Sequence, residues 1–512
     1  MTWWLWGCTM RPTPSPATQP PADLVIQADV DVVVEDGRIT AVAPAGTTAR
    51  VGPQTVVLHA DRVTAGFVDA HAHPVAYGRV LEELDLTGAM TYAETLDRIE
   101  TASSGKGWLL GRGWDQNDWP DAPAGTWPRL ADLDARTEGR PTRLGRVDGH
   151  AVWVNQAALD ASGITAQTPD PPGGQILRDA KGRPNGILID AAMSLVSPPS
   201  PTPDDLRRYL TRGLADLVTY GLTGVHVMGI DDATLDVMTA ADAEGALPMR
   251  LWVYMSPDSK AAQRLRTEGP WHGPARLRVQ GVKLYGDGAL GSRGALLSAP
   301  YADEPDHIGL ALTSAQEMAE WTVALDATGG QVAIHAIGDR AVTIALDAIE
   351  GARGARSSGV RHRVEHAQVV KPEDVPRFAT LRAIASVQPT HATSDRPWAE
   401  DRLGPDRMAW GYRWRSLVDA GAAVAFGSDL PVEAPSPADG LRAATVRDGW
   451  RIEEVVTLDE AIAAFTQGAA YAVGDEARLG SLTPGKLADL TLWQDEFVPI
   501  ATVVEGEVVW QR

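Results

Sequence analysis

Two histidines spaced two residues apart are the sharpest chemical feature of the sequence. His71 and His73 follow the apolar run Val63–Val68 directly. In an extended strand, residues two apart project from the same face, so both imidazoles can reach one point in space. Two nitrogen ligands of a single metal require that geometry. One such pair is a modest signal, because two histidines in a loop are often only polar surface.

Four further side chains of suitable type lie at or near the ends of later apolar runs. Residues at the carboxyl ends of parallel strands converge on one mouth if the strands close into a barrel, and active sites are built there. Each histidine alone is more often structural than a ligand, but the set together reverses that expectation. The four are His335, His366, Asp429 and Lys283.

Lys283 lies inside the otherwise apolar stretch Val279–Tyr285. A cationic amine is costly to bury and repels metals. A neutral amine can instead add carbon dioxide to form a carbamate, which is an anionic oxygen donor able to bridge two cations. The alternative is an ion pair with a carboxylate such as Asp287.

The elements that must position these groups alternate along the chain. Eight strand candidates separated by helices predict an α/β fold, a closed (β/α)₈ TIM barrel. An open doubly wound sheet is the rival, but no Gly-x-Gly-x-x-Gly follows the first strand. The strand candidates are Val63–Asp69, Gly224–Met228, Arg250–Met255, Leu277–Tyr285, Val332–Ile337, Arg363–His366, Ile384–Gln388 and Val424–Ser428; helix candidates include Asp204–Tyr220, Ser314–Thr328, Ala341–Gly351 and Lys371–Leu381.

Strand-like runs at both ends of the chain predict a small β-sandwich domain assembled from both termini, with a hairpin at Asp36 and Gly37. The expected organisation is a tail over 1–22, a composite sandwich from 23–63 and 478–512, and a barrel over 64–477. The gap between the first two barrel strands is too long for one crossover, so an insertion is expected at about 81–199. Its tryptophans either form its own core, which we favour, or line a pocket.

Charge and cysteine content limit the possible partners and metal sites of the protein. The 512 residues carry a formal net charge of −21, which disfavours a nucleic-acid partner. The single cysteine, Cys8, excludes an intramolecular disulfide and a cysteine-based zinc cluster. Leu5–Cys8 resembles a lipobox, which predicts a lipid anchor at Cys8 and a place in the cell envelope or periplasm. The alternative is a disordered tail on a cytoplasmic protein, because the apolar region is short and no basic residue precedes it.

The sequence also resembles a known family. Ala65–Pro74 is similar to the first-strand signature of the amidohydrolase superfamily, with Ala65 in place of the more common Pro. Further stretches resemble amidohydrolase family 3, in its N-substituted formamide deformylase-like branch, and follow the family order from about residue 23 to the C-terminus. They are Arg146–Asn155, Lys283–Arg293, His335–Asp339, Val364–Gln368, Ser386–His391 and Gly427–Val432.

This resemblance implies a centre of two divalent metals, zinc first, with manganese or iron as alternatives. One metal would be held by His71, His73 and Asp429, the other by His335 and His366, and a carboxylated Lys283 would bridge them. It implies hydrolysis of a non-peptide carbon–nitrogen bond, in a linear amide or N-substituted formamide, by a metal-bridged hydroxide, with Asp429 as the proton carrier.

Substrate residues and alternatives are less sharply defined. His150, Arg146 and His391 are candidates to contact a small-molecule amide substrate, and a structural role for each is about as well supported. An ester, carbamate or cyclic amide would suit the same site. A catalytically silent envelope-binding protein and a nucleotide-binding protein are the alternatives from other classes. The oligomeric state stays open, with a homodimer among the options.

Overall fold

The computed structural model describes residues 21–48, 50–122, 127–147, 151–171, 174–355 and 359–512. It divides into two compact units: the chain up to Gly78 together with Leu206–Arg512, and Arg79–Asp205. Cys8 and its predicted lipidation motif lie outside the described residues. Within these ranges, no helix has both the length and the apolar character needed to cross a membrane.

The first unit is built on a barrel. Within the described residues, eight parallel strands follow one another in chain order around a nearly closed sheet, which confirms the predicted (β/α)₈ architecture. They are β1 (Phe67–Ala72), β2 (Leu222–Ile230), β3 (Arg250–Met255), β4 (Leu277–Tyr285), β5 (Gln331–Ala336), β6 (Arg363–His366), β7 (Ile384–Val387) and β8 (Ala423–Phe426), and the short strand Trp271–His272 pairs with β4. The helices of this unit are Pro74–Val80, Pro203–Leu217, Asp232–Ala243, Lys260–Glu268, Ala315–Thr328, Asp339–Ala355, Val375–Thr380, Pro389–Ser394, Ala399–Met408, Trp414–Asp419, Pro437–Thr445, Leu458–Ala463 and Ala469–Val473.

Hydrogen bonds between the end of β1 and the segment after β8 continue the sheet where it would otherwise stay open. The Asp429 N–H donates to the His71 carbonyl at 2.8 Å, and the His73 N–H donates to the Leu430 carbonyl at 3.0 Å. Gly427 allows this approach, because a Cβ there would lie 2.5 Å from the His71 nitrogen. The two chain segments can therefore meet only with glycine at this position.

Two four-stranded sheets from opposite ends of the described chain face each other across a shared apolar core, as the sequence predicts. Ile26, Val32 and Leu58 of one sheet pack in the same cluster as Leu490 and Val503 of the other. The N-terminal sheet contains Leu24–Gln27, Val30–Glu35, Arg38–Pro44 and Val56–His59; the C-terminal sheet contains Arg62–Ala65, Leu490–Gln494, Val498–Val504 and Glu507–Gln511.

The predicted first barrel strand, Val63–Asp69, is wrong in its bounds. Arg62–Ala65 belongs to the C-terminal sheet, and β1 begins only at Phe67. The change of sheet occurs at Gly66, whose N–H donates to the Asp489 carbonyl at 2.7 Å. As a result His71 lies inside β1 rather than after it.

The second unit, the predicted insertion, has a sheet and a core of its own. The largest side chains of that core are Trp114, Trp119 and Trp153, packed with Leu133 and Leu144. These tryptophans therefore serve the core, as the favoured interpretation predicts. The strands in sheet order are Gly174–Arg178, Pro184–Asp190, Ala151–Val154, Thr142–Arg146, Leu109–Trp114 and Leu84–Asp85, and the helices are Tyr92–Ala102, Leu130–Thr137 and Gln156–Ala161.

A buried ion pair ties the barrel to the sandwich within the first unit. Arg250, the first residue of β3, donates from Nε to Asp489 Oδ2 at 2.6 Å and from Nη2 to Asp489 Oδ1 at 3.1 Å. Both side chains are nearly fully buried. Arg250 Nη2 also lies 3.0 Å from Oε1 of the more exposed Glu505, so Asp489 is the buried one of two carboxylates that compensate this charge.

We expect Asp489→Asn to lower the free energy of unfolding by about 2 kcal/mol, because the buried Arg250 guanidinium loses its two charged hydrogen bonds to Asp489 and keeps only the more exposed Glu505 as a counter-ion. Guanidinium chloride denaturation followed by circular dichroism measures the change. Glu268→Gln removes a carboxylate from the exposed pair that Glu268 makes with Arg264, and should cost less than about 1 kcal/mol. Equal effects of the two substitutions would contradict the role given to Asp489.

Candidate metal centre

The six predicted ligands all belong to the barrel unit and stand near the carboxyl ends of its strands. Strand pairing places neighbours side by side: Tyr285 of β4 is opposite His335, and Ala336 of β5 is opposite His366. His71 lies in β1 and His73 just after it, Lys283 lies in β4, His335 in β5, His366 at the end of β6 and Asp429 after β8.

His71, His73 and Asp429 form the tightest group. One ligand atom from each lies within 4.8 Å of the other two. Asp429 Oδ1 is 3.2 Å from His73 Nε2 and 3.4 Å from His71 Nε2. Two imidazole nitrogens and one carboxylate oxygen facing a common point are a typical donor set for a divalent transition metal.

His335 and His366 extend this group to a second cluster of nitrogen donors. The His71 and His366 ring centroids are 4.7 Å apart, and those of His366 and His335 are 4.5 Å apart. The four imidazoles therefore form one continuous group. Three of them belong to strands β1, β5 and β6, and the fourth, His73, follows β1.

Two of the predicted ligands sit on backbone that ordinary residues rarely adopt. His366 has φ +71° and Asp429 has φ +59°. Non-glycine residues in this left-handed region carry a conformational cost of about 1 kcal/mol or more, and such residues cluster at functional sites. The barrel thus holds both side chains in directions that a relaxed strand end would not give them.

Lys283 lies at the centre of the group and is 1% exposed. Its Nζ is 3.1 Å from His71 Nε2. Burial lowers the pKa of Lys283 to about 8, although Glu365 and Asp429 oppose the change. The neutral amine is therefore accessible near physiological pH.

The predicted alternative partner of Lys283, Asp287, is engaged elsewhere. Its two carboxylate oxygens accept backbone N–H groups from Leu296, Ile337 and Gly338, at 2.8–3.0 Å. An ion pair between Lys283 and Asp287 is therefore not formed, and the alternative is wrong. Burial raises the pKa of Asp287 to about 7 against these hydrogen bonds.

Glu365 fixes the orientation of His71. His71 Nδ1 lies 2.7 Å from Glu365 Oε2, so the proton on Nδ1 is shared with a carboxylate and Nε2 is directed at Asp429 and Lys283. Glu365 is itself held by Arg363, with Nε 2.7 Å from Oε1. Metal-binding histidines are commonly oriented by a carboxylate on the second nitrogen in this way.

The protonation states suit metal binding. Burial is the main cause that lowers the pKa of His71 to about 4 and that of His335 to about 3, so both rings are neutral at pH 7. Burial opposes ionisation of Asp429, but His71 and the hydrogen bond from His73 hold its pKa well below the usual range. Neutral imidazoles and an ionised carboxylate are the forms that bind cations. The donor set therefore fits divalent metals.

Sequence reasoning missed the buried groups behind the ligands. Arg363 and Glu365 are fully buried, and two charged residues at alternate positions of a strand candidate, which places them on one face, are the signal that could have revealed them. Asp69, the first residue of the histidine motif, accepts the backbone N–H of His71 and of Ser428, both at 3.0 Å. Asp69 thus joins β1 to the segment that carries Asp429.

The candidate substrate residues fall in different places. His391 is buried beside the predicted ligands, with its ring 6.0 Å from that of His366. Arg146 belongs to the second compact unit, where it is bonded to Asp115 and Gln116. His150 lies outside the described residues.

Comparison with known proteins gives consistent matches. The sequence model of the amidohydrolase family matches residues 55–509. YtcJ of Bacillus subtilis, which is named as an amidohydrolase, is 32% identical, over 94% of this chain and 96% of that protein. The N-substituted formamide deformylase of Arthrobacter pascens is 29% identical, over 92% and 91%.

A crystal structure of a metal-dependent hydrolase from Pyrococcus furiosus superposes with a TM-score of 0.78 at 29% identity, covering 93% of this chain and 99% of that one. The likeness thus extends over barrel, sandwich and insertion alike. Together with the match over residues 55–509, it shows that the chain belongs to amidohydrolase family 3, metal-dependent hydrolases that cleave carbon–nitrogen bonds other than peptide bonds.

Proposed function

We propose that this protein hydrolyses a linear amide or an N-substituted formamide at a centre of two divalent metals, with zinc as the first candidate. The observation that carries the proposal is the meeting of all six predicted ligands at one end of the barrel. The resemblance to a relative named N-substituted formamide deformylase supports the substrate class. A catalytically silent scaffold does not require six metal-binding side chains at one end of the barrel.

His71, His73 and Asp429 would hold one metal, and His335 and His366 the other. When bound, the metals would supply Lewis-acid chemistry, lowering the pKa of water and polarising the carbonyl of the substrate. The neutral, buried imidazoles are available for this without first releasing protons.

Asp429 is the proposed proton carrier. Its pKa, held well below the usual range, keeps it ionised at neutral pH, so that it can accept a proton from the attacking water. The carboxylic acid so formed can then donate that proton to the leaving nitrogen. This step is needed because an amide anion is a very poor leaving group.

Lys283 is proposed to act as a carbamate that contributes oxygen ligands to both metals. The amine lies against His71 Nε2 and has its pKa lowered to about 8, so a useful fraction is neutral and can add carbon dioxide. An uncharged or anionic group at this position also removes the repulsion that an ammonium ion would exert on a bound cation.

His391 is proposed to donate a hydrogen bond to the substrate. The Gln368 amide nitrogen lies 3.3 Å from His391 Nδ1 and 3.2 Å from Asp395 Oδ2. Since an ionised carboxylate can only accept, this end of Gln368 is the NH₂ group, and His391 Nδ1 must be the acceptor. The imidazole proton is thereby placed on Nε2, which is buried and has no partner among the described residues.

The direct test of the proposed function combines metal analysis with Asp429→Asn. We expect purified protein to contain about two divalent ions per chain and the variant to lose at least about 100-fold in kcat/KM on N-formyl and N-acyl amides, because the proton carrier is gone. Asp419→Asn alters an exposed carboxylate and should keep full activity. Protein free of metals that turns over amides in the presence of chelator would refute the proposal.

The carbamate at Lys283 is tested by two substitutions of similar size. Lys283→Met cannot form a carbamate and therefore supplies no oxygen ligand at this position. It should lower the metal content well below about two ions per chain. Lys283→Glu supplies a carboxylate at a similar reach and should retain more metal than the Met variant. If both variants bind metal as the original protein does, Lys283 takes no part in holding it.

His391→Phe keeps a ring against His366 and removes the donor. We expect kcat/KM to fall about tenfold or more, while metal content is unchanged and the thermal midpoint is equal or higher, because a buried donor without an acceptor has been removed. Steady-state kinetics and calorimetry on the same preparation measure both. Unchanged kinetics would show that His391 is only structural.

A further inference from the structure

The second compact unit contains a cavity of about 310 Å³ lined by three arginines. Arg112 stands on the strand Leu109–Trp114, and Arg143 and Arg146 stand on the neighbouring strand Thr142–Arg146. Among the described residues that line it there is no carboxylate. That composition is unusual in a chain whose net charge is −21.

Strand register explains how the cavity is kept open. Gly145 lies opposite Arg112 in the parallel pair and opposite Val152 in the antiparallel pair. Arg143 is two residues from Gly145 and shares its face of the sheet. Because Gly145 has no side chain, the space between the two arginine stems is not filled.

Among the described residues, two of the three guanidinium groups have no hydrogen-bond or ion-pair partner. Arg146 donates from Nε to Gln116 Oε1 at 2.9 Å and from Nη2 to Asp115 Oδ1 at 2.7 Å. The Arg112 side chain is exposed and that of Arg143 is half-buried, and neither forms a hydrogen bond or ion pair within the described ranges. The Arg143 Nε is buried without an acceptor, which is costly for a charged donor and would be offset by a bound anion.

Two acidic residues of the same unit act on these arginines without a direct bond to them. Burial is the main cause that lowers the pKa of Arg143; Glu83 raises it and Arg79 lowers it further. Burial opposes ionisation of Asp85, but hydrogen bonds from Thr87 and then the charge of Arg112 hold its pKa below the usual value. The described side chains that line the cavity thus carry positive charge and no negative charge, which favours an anionic ligand.

We propose that this cavity binds the carboxylate group of a small molecule, held by the Arg112 and Arg143 guanidinium groups. The planar fork of a guanidinium matches a carboxylate with two parallel hydrogen bonds. A volume of about 310 Å³ suits a small organic acid rather than a polymer. The ligand is a separate small acid bound within this unit, and its binding does not depend on the proposed amide hydrolysis.

Binding is tested on the full chain by isothermal titration calorimetry with succinate, with neutral succinamide and inorganic phosphate as comparison probes. We expect saturable succinate binding that weakens by about tenfold or more in Arg143→Gln, since a charge-assisted hydrogen bond is lost. Gly145→Val should weaken it too, by filling the cavity at constant charge. Arg129→Gln, at an arginine of the same unit whose side chain is 75% exposed, is the matched control.

Three results would overturn the proposal: no saturable succinate binding, equal weakening by the Arg143 and Arg129 substitutions, or binding of phosphate without succinate. Because calorimetry needs no turnover, these outcomes are independent of whether the metal centre is active. Thermal melts of each variant identify any that fail to fold, and the two cavity variants act by different means.

Discussion

The candidate centre depends on the short seam where β1 meets the segment that follows β8. The two backbone hydrogen bonds there link His71 with Asp429 and His73 with Leu430. Asp69 reinforces the same seam by accepting from the backbone of Ser428. The contacts that complete the barrel are therefore also the contacts that set the carboxylate of Asp429 against two imidazoles. The fold and the candidate site depend on the same contacts, because opening the seam would separate Asp429 from His71 and His73.

Behind the ligands, the barrel interior carries charge that a purely structural core would avoid. Arg363 and Glu365 are buried completely, and burying an ion pair is often less stabilising than an apolar replacement. The Arg363–Glu365 pair has a positioning role. Glu365 holds His71 by Nδ1, and Arg363 donates to Ser386 of β7 and approaches His226 of β2. One guanidinium thus connects strands from both sides of the barrel and fixes the orientation of a ligand, a trade of stability for function.

The sequence predicted most of what local pattern controls. The alternation of side chains along a strand placed His71 and His73 on one face, and the barrel topology placed later strand ends beside them. The missed features all depend on pairings between distant segments. Closeness in sequence suggests Asp287 as a partner of Lys283. In the structure, the backbone N–H groups of Leu296, Ile337 and Gly338 instead donate to the Asp287 carboxylate. Only the closed barrel, which brings β6 across from β1, reveals that Glu365 contacts His71.

The insertion is a second case in which pairing between strands could not be predicted from the local sequence. Its tryptophans could be assigned to a core because aromatic burial is a general tendency, but composition does not reveal the arginines that line its cavity. A net charge of −21 describes the average surface, whereas a ligand responds to the few groups within a Debye length that solvent does not screen. Arg112 and Arg143 line the same cavity because their strands pair in parallel and because Gly145 leaves space between them. Local charge of this kind is decided by register, so an acidic protein can present a basic cavity without contradiction.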